Sequence, residues 1–397
     1  MQRKVLIFST LNPYPFWAGS EKFWFDFVSD SRAHADFKFH LVLADSPATR
    51  SKVTPLIARG VVVSFYNHFN VSPLRRNAYR LWDALRKCRF RTLPWYEQIK
   101  HARSDLVWFN VAGLADLVDL AYPVQICKKL SLPYWLVLQH SYEDFFFGSK
   151  LEIEAATEVA TSARRFIFVA EKNRVSLERA IGVRLDNALR SVNSLSADEI
   201  RKAKEVAEKH PVDGYNRARF FNLARFSPKD KAQHVLLEAL AAGEWKRRDW
   251  ELSFIGVSDF GSFYLRKLAA YYGIDPNRIR FIPHTENVLS MIAEQDLLLM
   301  PSLAEGMPFA MLESMACARP ALGTPVGGIP ELVWENRTGW LARTTDVGDV
   351  QEAIERAWQN CLLWKQFGQN AQQHVELHHN QEKVHADLLR VLIEDLG

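Results

Sequence analysis

The sequence predicts an α/β protein in which two doubly wound parallel sheets form separate domains. Short apolar runs typical of buried parallel strands recur along the chain, and helical patterns lie between most of them. The length of 397 residues exceeds what one ordinary core needs. With 48% hydrophobic and 24% charged residues, the composition is that of a globular protein. We place the first domain at 1–195 and the second at 196–377.

The strands of the first domain are predicted from apolar runs that start near the amino terminus. They lie at 5–8, 39–43, 61–63, 105–109, 134–138 and 166–169. After the first run, Gly19 and Ser20 lead into a helix, a junction where backbone can approach a phosphate closely; an ordinary helix cap is the alternative. No Gly-x-Gly-x-x-Gly follows the first strand, which counts against a nicotinamide or flavin enzyme.

The second domain has predicted strands at 220–225, 252–256, 279–282, 296–300 and 339–341. Arg225 stands at the end of the first of them, and Lys231 at the start of the next helix. These two cations can converge on one diphosphate, the Arg through its planar guanidinium and the Lys as a point charge. Two unrelated surface charges are the alternative.

The segment 301–333 follows a buried strand and carries the strongest functional signal. Pro308 suits the first position of a helix, which must end before Pro320. The amides of Gly306 and Met307, with those of the first helical turn, are then expected to attract a phosphate group.

Two carboxylates lie in this predicted anion site. Glu305 and Glu313 are good acceptors for sugar hydroxyls, and a nucleotide sugar has hydroxyls on both sides of its diphosphate. We expect Glu313 to bind the ribose and Glu305 the transferred sugar. Solvated helix-end charges, or the carboxylate pair of a glycoside hydrolase, are the alternatives.

The segment 301–333 resembles the signature of retaining glycosyltransferases of family four with the GT-B architecture. That signature is a Glu, seven residues, a second Glu, a Gly-Gly turn and another Glu; here these are Glu305, Glu313, Gly327-Gly328 and Glu331. The resemblance implies two Rossmann-like domains that face each other across a cleft, with the donor held mainly by the second and the acceptor by the first. It also implies that a terminal helix at about 378–397 packs back on the first domain. The segment 190–194 resembles the Asn-Gly element that closes the first domain.

The resemblance implies roles for individual residues. Family members have a Gly-Gly-x-Glu loop near Gly19, with Ser20 in place of the second Gly, and a Gly-Arg, loop, Lys-Gly pattern that Arg225 and Lys231 match. His140 matches a His near the reacting sugar, and His284 occupies the loop along the nucleotide base. The predicted catalytic residues are Arg225, Lys231, Glu305 and His140. The predicted donor-binding residues are Gly19, Arg225, Lys231, His284, Glu305, Gly306, Met307, Pro308, Phe309 and Glu313.

The implied activity is transfer of a sugar from a nucleotide-diphosphate sugar to a hydroxyl acceptor with retention of anomeric configuration. Arg225, Lys231 and the amides near Gly306 would stabilise the departing diphosphate, so neither metal nor cofactor is required. We expect a hexosyltransferase of cell-surface polysaccharide or glycolipid synthesis. The alternative is a catalytically silent sugar-nucleotide-binding or membrane scaffold protein.

The segment 75–103 is basic and aromatic. It has nine Lys or Arg against two acidic residues, a net charge of +7, with interleaved Tyr, Trp and Phe. Such segments bind anionic membrane surfaces, which suggests contact with a lipid-linked acceptor; a solvated face is the alternative. Nucleic acid is not expected as a partner, because the whole chain carries only +4 and shows no nucleic-acid module.

The remaining signals concern location and metal binding. The amino-terminal apolar run is too short for a secretory signal, so we expect a cytoplasmic protein at the inner face of the plasma membrane. The four cysteines lack metal-ligand spacing and are interpreted as free thiols. His374 and His378 are one helical turn apart, but no third ligand is suggested, so a solvated helix face is favoured over a metal site.

Overall fold

A computed structural model describes residues 2–9, 19–66, 98–212, 217–285 and 287–397. The chain forms two compact units, Met1–Ser191 with His385–Gly397, and Val192–Val384. The last strand of the first unit ends at Arg190, one residue before the unit's boundary at Ser191. Most of the segment 75–103 lies outside the described residues; so does Cys88.

A seven-stranded parallel sheet forms the centre of the first unit, with strand order β3-β2-β1-β4-β5-β6-β7. Its strands are β1 Arg3–Ser9, β2 Phe37–Ala44, β3 Val62–Tyr66, β4 Leu106–Val111, β5 Tyr134–Leu138, β6 Arg165–Phe168 and β7 Ala188–Arg190. The described helices before residue 192 are α1 Gly19–Ser29, α2 Ala33–Asp36, α3 Pro47–Ala58, α4 Gln98–His101, α5 Asp116–Asp119, α6 Ala121–Lys129, α7 Lys150–Thr161 and α8 Glu171–Ile181.

The second unit has a six-stranded parallel sheet in the order β10-β9-β8-β11-β12-β13. Its strands are β8 Ala218–Leu223, β9 Trp250–Ile255, β10 Ile279–Ile282, β11 Leu297–Met300, β12 Ala321–Gly323 and β13 Gly339–Leu341. The described helices that follow α8 are α9 Ala197–Lys209, α10 Gln233–Ala241, α11 Asp259–Tyr271, α12 Val288–Ala293, α13 Phe309–Ala316, α14 Ile329–Leu332, α15 Val347–Gln359, α16 Trp364–His378 and α17 Gln381–Leu396.

The predicted α/β class is confirmed, because central strands β4, β5 and β11 are buried along their whole length, as parallel strands covered on both faces should be. Each sheet has a point where the strand order reverses, between β1 and β4 in the first unit and between β8 and β11 in the second. Ligands of open α/β sheets bind outside the carboxyl ends of the strands at such points. These two edges are therefore the expected ligand-binding regions of the two units.

Helix α13 begins one residue later than the sequence predicts. Pro308 is the residue before the helix, with φ −72° and ψ 118°, so its backbone is extended and Phe309 is the first helical residue. The prediction that Pro308 occupies the first helical position was therefore wrong. Pro308 still accepts the first backbone hydrogen bonds of the helix, from the amides of Met311 and Leu312 at 3.1 and 3.2 Å.

The last helix, α17, begins in the second unit, and its residues from His385 onward belong to the first. Asp395, buried near its end, pairs with Arg165 at 2.9 Å and accepts a hydrogen bond from the indole N–H of Trp135 at 2.9 Å. His385 lies 3.1 Å from Asp30. None of the described helices has the length and apolar character needed to cross a bilayer.

Candidate functional site

Lys231 and Glu305 form an ion pair at the point where the second sheet reverses its strand order. The Nζ atom of Lys231 lies 2.6 Å from Oε1 of Glu305, and both side chains are mostly buried. The hydroxyl of Ser302 donates to the same carboxylate oxygen at 2.7 Å. Lys231 belongs to the loop after β8, and Glu305 to the loop after β11. Two site residues that the sequence predicted separately are thus brought into contact.

Backbone hydrogen bonds hold these two loops together. The amide of Lys231 donates to the carbonyl of Ser227 at 2.7 Å, which closes the turn after β8. The carbonyl of Asp230 in turn accepts from the amide of Leu303 at 2.7 Å. Ala232 follows with φ +47°, a left-handed conformation that redirects the chain into α10. The Lys231–Glu305 contact therefore rests on a fixed backbone rather than on two flexible side chains alone.

Two glycines pack directly against the loop that carries Glu305. Gly327 has φ +52°, and a Cβ there would lie 2.2 Å from the carbonyl oxygen of Glu305. The amide of Gly328 donates to the carbonyl of Gly306 at 2.6 Å. Only residues without a side chain allow this approach, which explains the Gly-Gly turn that follows the two glutamates.

Asn193 supports the same loop from another direction. Its side-chain amide donates to the carbonyl of Met307 at 2.6 Å, and its own backbone carbonyl lies 2.8 Å from Nδ1 of His379. Asn193 is buried. The segment 190–194 thus contributes a side chain that orients the loop 305–308.

The other predicted donor-binding residues of the second unit lie in different surroundings. Arg225 is exposed and pairs with Asp230 at 2.8 Å, so the structure gives the two predicted cations different carboxylate partners. His284 is exposed in the loop after β10. Glu313 is half-buried in the second turn of α13, and Phe309 is half-buried at its start. Gly306, Met307 and Pro308 are buried.

In the first unit, a buried carboxylate lies close to Gly19. Gly19 is the exposed first residue of α1, and the carboxylate of Glu21 two positions later lies 2.8 and 3.0 Å from the hydroxyl of Ser9 at the end of β1. The indole N–H of Trp24 donates to the same carboxylate. Burial raises the pKa of Glu21 to about 7, although both hydrogen bonds act in the opposite direction. Asn110 at the end of β4 reaches Ser9 at 3.4 Å.

His140 lies just past the end of β5, where the sequence predicted it. It is half-buried and contacts the ring of Tyr142 edge-on, with ring centroids 5.1 Å apart and planes at 90°. A Cβ on Gly113 would lie 3.9 Å from its Nδ1 atom. The preceding Gln139 is buried and donates to Asn110 at 2.8 Å. His140 thus sits at the carboxyl edge of the first sheet beside a buried amide network.

Sequence reasoning missed several of these supporting residues, namely Ser9, Glu21, Asn193 as a hydrogen-bond donor, Asp230 and Ser302. The sequence could have indicated that Glu21 is buried, because it lies three residues before Trp24 and therefore on the same face of the helix. No group of three metal-binding side chains occurs in the described ranges. Burial, with a smaller effect of His378, lowers the pKa of His374 to about 4.

Comparison with known proteins identifies the fold first. The structure of Anabaena Alr3699/HepE in complex with UDP superposes with a TM-score of 0.71 at 18% identity, covering 99% of this chain and 100% of that one. The same protein has also been solved with UDP-glucose. Together with the two parallel α/β sheets, this likeness shows that the chain has the GT-B fold of glycosyltransferases.

The sequence of the second unit also matches a known family. Residues 217–360 match the family model of the group 1 glycosyl transferases. N-acetyl-alpha-D-glucosaminyl L-malate synthase of Bacillus anthracis is 32% identical over 108 residues, 27% of this chain and 28% of that protein. The amylovoran biosynthesis glycosyltransferase AmsK of Erwinia amylovora is 27% identical over 180 residues, 44% of each chain. The match spans less than half the length of either relative. These findings confirm the resemblance of the segment 301–333 to glycosyltransferases with the GT-B architecture.

Proposed function

We propose that this protein is a retaining hexosyltransferase that moves a sugar from a nucleotide-diphosphate sugar to an acceptor hydroxyl. The Lys231–Glu305 pair carries the proposal. A cation and a carboxylate are held 2.6 Å apart at the carboxyl edge of the second sheet, beside the start of α13. A nucleotide sugar needs both charges, the cation for its diphosphate and the carboxylate for its sugar hydroxyls.

Donor binding exchanges the partners of this pair. The Lys231 ammonium turns to the diphosphate, with Arg225 as a second cation, and Glu305 accepts hydroxyl hydrogens of the sugar. The start of α13 and the amides near Gly306 add partial positive charge, and Glu313 binds the ribose. His284 lies along the nucleotide base. Gly19, a residue of the first unit, binds the diphosphate through its backbone. Because side chains and amides neutralise the phosphates, the scheme requires no metal and no cofactor.

In the reaction, the bond between the anomeric carbon and the diphosphate oxygen breaks, and a bond from that carbon to the acceptor oxygen forms on the same face. The departing diphosphate takes the proton of the acceptor hydroxyl. Negative charge grows on the diphosphate as it leaves, so Arg225 and Lys231 act where the transition state differs most from the substrate. His140 holds a hydroxyl or the leaving group.

NMR of the product would report the anomeric configuration, and an inverted product would overturn this scheme.

The first experiment is a thermal-shift screen of the full chain with UDP, GDP, ADP and their sugars. Ligand binding to the folded state raises the melting temperature. A ligand concentration of one hundred times Kd adds about 2.7 kcal/mol to the free energy of unfolding. We test uridine nucleotides first, since Alr3699/HepE binds UDP and UDP-glucose. Stabilisation by one nucleotide class supports the proposal and identifies the donor. No response to any nucleotide would favour a silent scaffold protein instead.

We also propose that the acceptor belongs to cell-surface polysaccharide or glycolipid synthesis. One relative, AmsK, is named for amylovoran biosynthesis. The basic segment 75–103 would bring the enzyme to the anionic inner face of the plasma membrane. Cosedimentation with anionic and with neutral liposomes at low salt tests this. Binding to the anionic vesicles alone supports it, whereas absence of binding contradicts it.

A further inference from the structure

The loop that follows His140 exposes aromatic rings at the carboxyl edge of the first sheet. We call residues 140–148, between β5 and α7, the aromatic loop. Phe146 is 74% exposed and Tyr142 is 40% exposed. Asp144, between them, is exposed as well, whereas Ser141 is buried and Phe145 and Phe147 are partly covered.

The aromatic loop is anchored along its whole length. The side-chain amide of Asn173 donates to the hydroxyl of Ser141 at 2.8 Å, and Glu143 pairs with Lys172 at 2.8 Å. At the other end, the amide of Gly148 donates to Glu152 at 2.7 Å. The backbone that carries the exposed side chains is therefore held in place, which lowers the entropic cost of binding a ligand.

Two further rings fix the middle of the loop. Phe145 and Phe147 pack edge-to-face, with centroids 5.0 Å apart, and both lie against the hydrophobic core of the first unit. Phe146 lies between them in sequence yet remains in solvent. The exposure of Phe146 thus goes with the packing of its two partly buried neighbours against the core.

The chemistry of the three exposed side chains fits one class of ligand. A pyranose ring has an apolar face of C–H groups and a rim of hydroxyl donors. The rings of Tyr142 and Phe146 offer flat apolar surface, and the carboxylate of Asp144 accepts hydroxyl hydrogens. A phosphate or carboxylate on the ligand would meet the negative charge of Asp144 and be disfavoured.

We propose that Tyr142, Asp144 and Phe146 form an acceptor subsite for an uncharged sugar ring. The proposal rests on the proposed function insofar as His140, which contacts Tyr142, is a residue of the sugar-transfer site. It names the acceptor class: a neutral glycoside, as opposed to a phosphorylated or uronic acceptor.

The test is saturation-transfer NMR on the full chain without donor. The probes are the methyl glycosides of glucose, galactose and N-acetylglucosamine, compared with glucose 6-phosphate and glucuronate. We expect the neutral glycosides to bind and the two anions to bind at least about tenfold more weakly. The Tyr142→Ala, Phe146→Ala double variant should lose about tenfold in affinity for the neutral glycosides.

The matched control is Phe260→Ala, which removes a Phe that is 72% exposed on α11 of the second unit and should leave glycoside binding unchanged. Asp144→Asn is an independent test, because this variant should reduce the difference in affinity between neutral and anionic sugars. Glycoside binding that persists in the double variant contradicts the proposal. Anionic sugars that bind as tightly as the neutral glycosides would also contradict it. So would the absence of glycoside binding to the wild type at about 50 mM ligand, a concentration well above ordinary KM values.

The nucleotide screen separates this proposal from the proposed function. If nucleotides stabilise the protein but the aromatic loop binds no glycoside, the acceptor subsite is wrong and the transferase proposal stands. If glycosides bind and no nucleotide does, the transferase proposal fails and the aromatic loop is a sugar site of a non-catalytic protein.

Discussion

At the scale of single residues, the Lys231–Glu305 pair is both a buried ion pair and the centre of the proposed donor site. Two mostly buried charges at 2.6 Å satisfy each other in the absence of a donor. In the proposed function, a nucleotide sugar supplies both charges with new partners. The hydroxyl of Ser302 also binds Glu305.

Replacing Lys231 should damage catalysis, and it also takes a cation away from the mostly buried Glu305. We expect Lys231→Ala to lower kcat by a factor of about one hundred or more, because the developing charge on the diphosphate loses one of its two proposed cations. Steady-state kinetics with the donor from the nucleotide screen measures this. Lys229→Ala, which removes an exposed cation two positions away, is the control and should leave kcat unchanged. Near-normal turnover in Lys231→Ala would overturn the assignment.

Glu21 makes the stability of the protein depend on pH. Its pKa rises from 4.5 to about 7 on folding, so the folded state binds more protons between these values. The stability that the protonated carboxyl contributes is complete below pH 4.5 and is lost as the pH rises through about 7. The shift corresponds to at most about 3 kcal/mol.

The difference between wild type and Glu21→Gln isolates this effect. Urea unfolding at several pH values should show wild-type stability falling relative to the variant between pH 4.5 and 7. The difference is needed because His374, whose pKa burial lowers to about 4, contributes with the opposite sign. Parallel profiles would show that Glu21 titrates normally in the folded protein.

At the scale of elements, the turn before α14 shapes the loop before α13. Gly327 combines a positive φ with a close approach to the carbonyl of Glu305. A side chain there must push the loop away, and with it the carboxylate that Lys231 contacts. The Gly-Gly turn is therefore part of the site's architecture even though its residues have no side chain to bind a ligand.

Gly327→Ala tests this dependence. We expect a loss of about 2 to 5 kcal/mol in unfolding free energy, from the strained backbone and the overlap with the loop. The melting temperature and nucleotide binding should fall together. The control is Gly348→Ala on α15, where an added Cβ meets nothing within 4 Å. That variant should be neutral or up to about 1 kcal/mol more stable. Equal stability of the two variants would contradict the argument.

At the scale of the whole molecule, the last helix ties the two ends of the chain into one unit. Asp395 is buried among Arg164, Arg165 and Trp135, which lie more than two hundred residues earlier in the sequence. Arg3 also reaches the carbonyl of Gly397 at 3.2 Å. The first unit therefore combines residues that lie far apart in the sequence.

Removing the charge of Asp395 should destabilise this unit. We expect Asp395→Asn to lower the unfolding free energy by about 3 kcal/mol, because two arginines lose a buried partner. Denaturant titration measures it. Asp387→Asn on the same helix, where the pair with Arg390 is exposed, should change stability by less than about 0.5 kcal/mol. A small effect at Asp395 would mean that apolar packing alone holds the helix.

The sequence by itself determined the fold class, most strands and the segment that carries the family signature. Apolar runs such as 134–138 coincide with their strands because local periodicity reflects burial on both faces. The three-residue strands β7 and β12 were missed, whereas β13, which is equally short, was predicted. Three residues give only a weak pattern, and the pairing of such strands depends on their neighbours.

Only the tertiary structure decided which side chains meet. Glu305 pairs with a lysine 74 positions earlier, and Asn193 reaches the carbonyl of Met307, 114 positions later. Arg225, which spacing grouped with Lys231, pairs instead with Asp230. The pKa of Glu21 likewise depends on burial that strands β1 and β4 create around it. Contacts between distant segments arise from packing, which local sequence patterns do not encode.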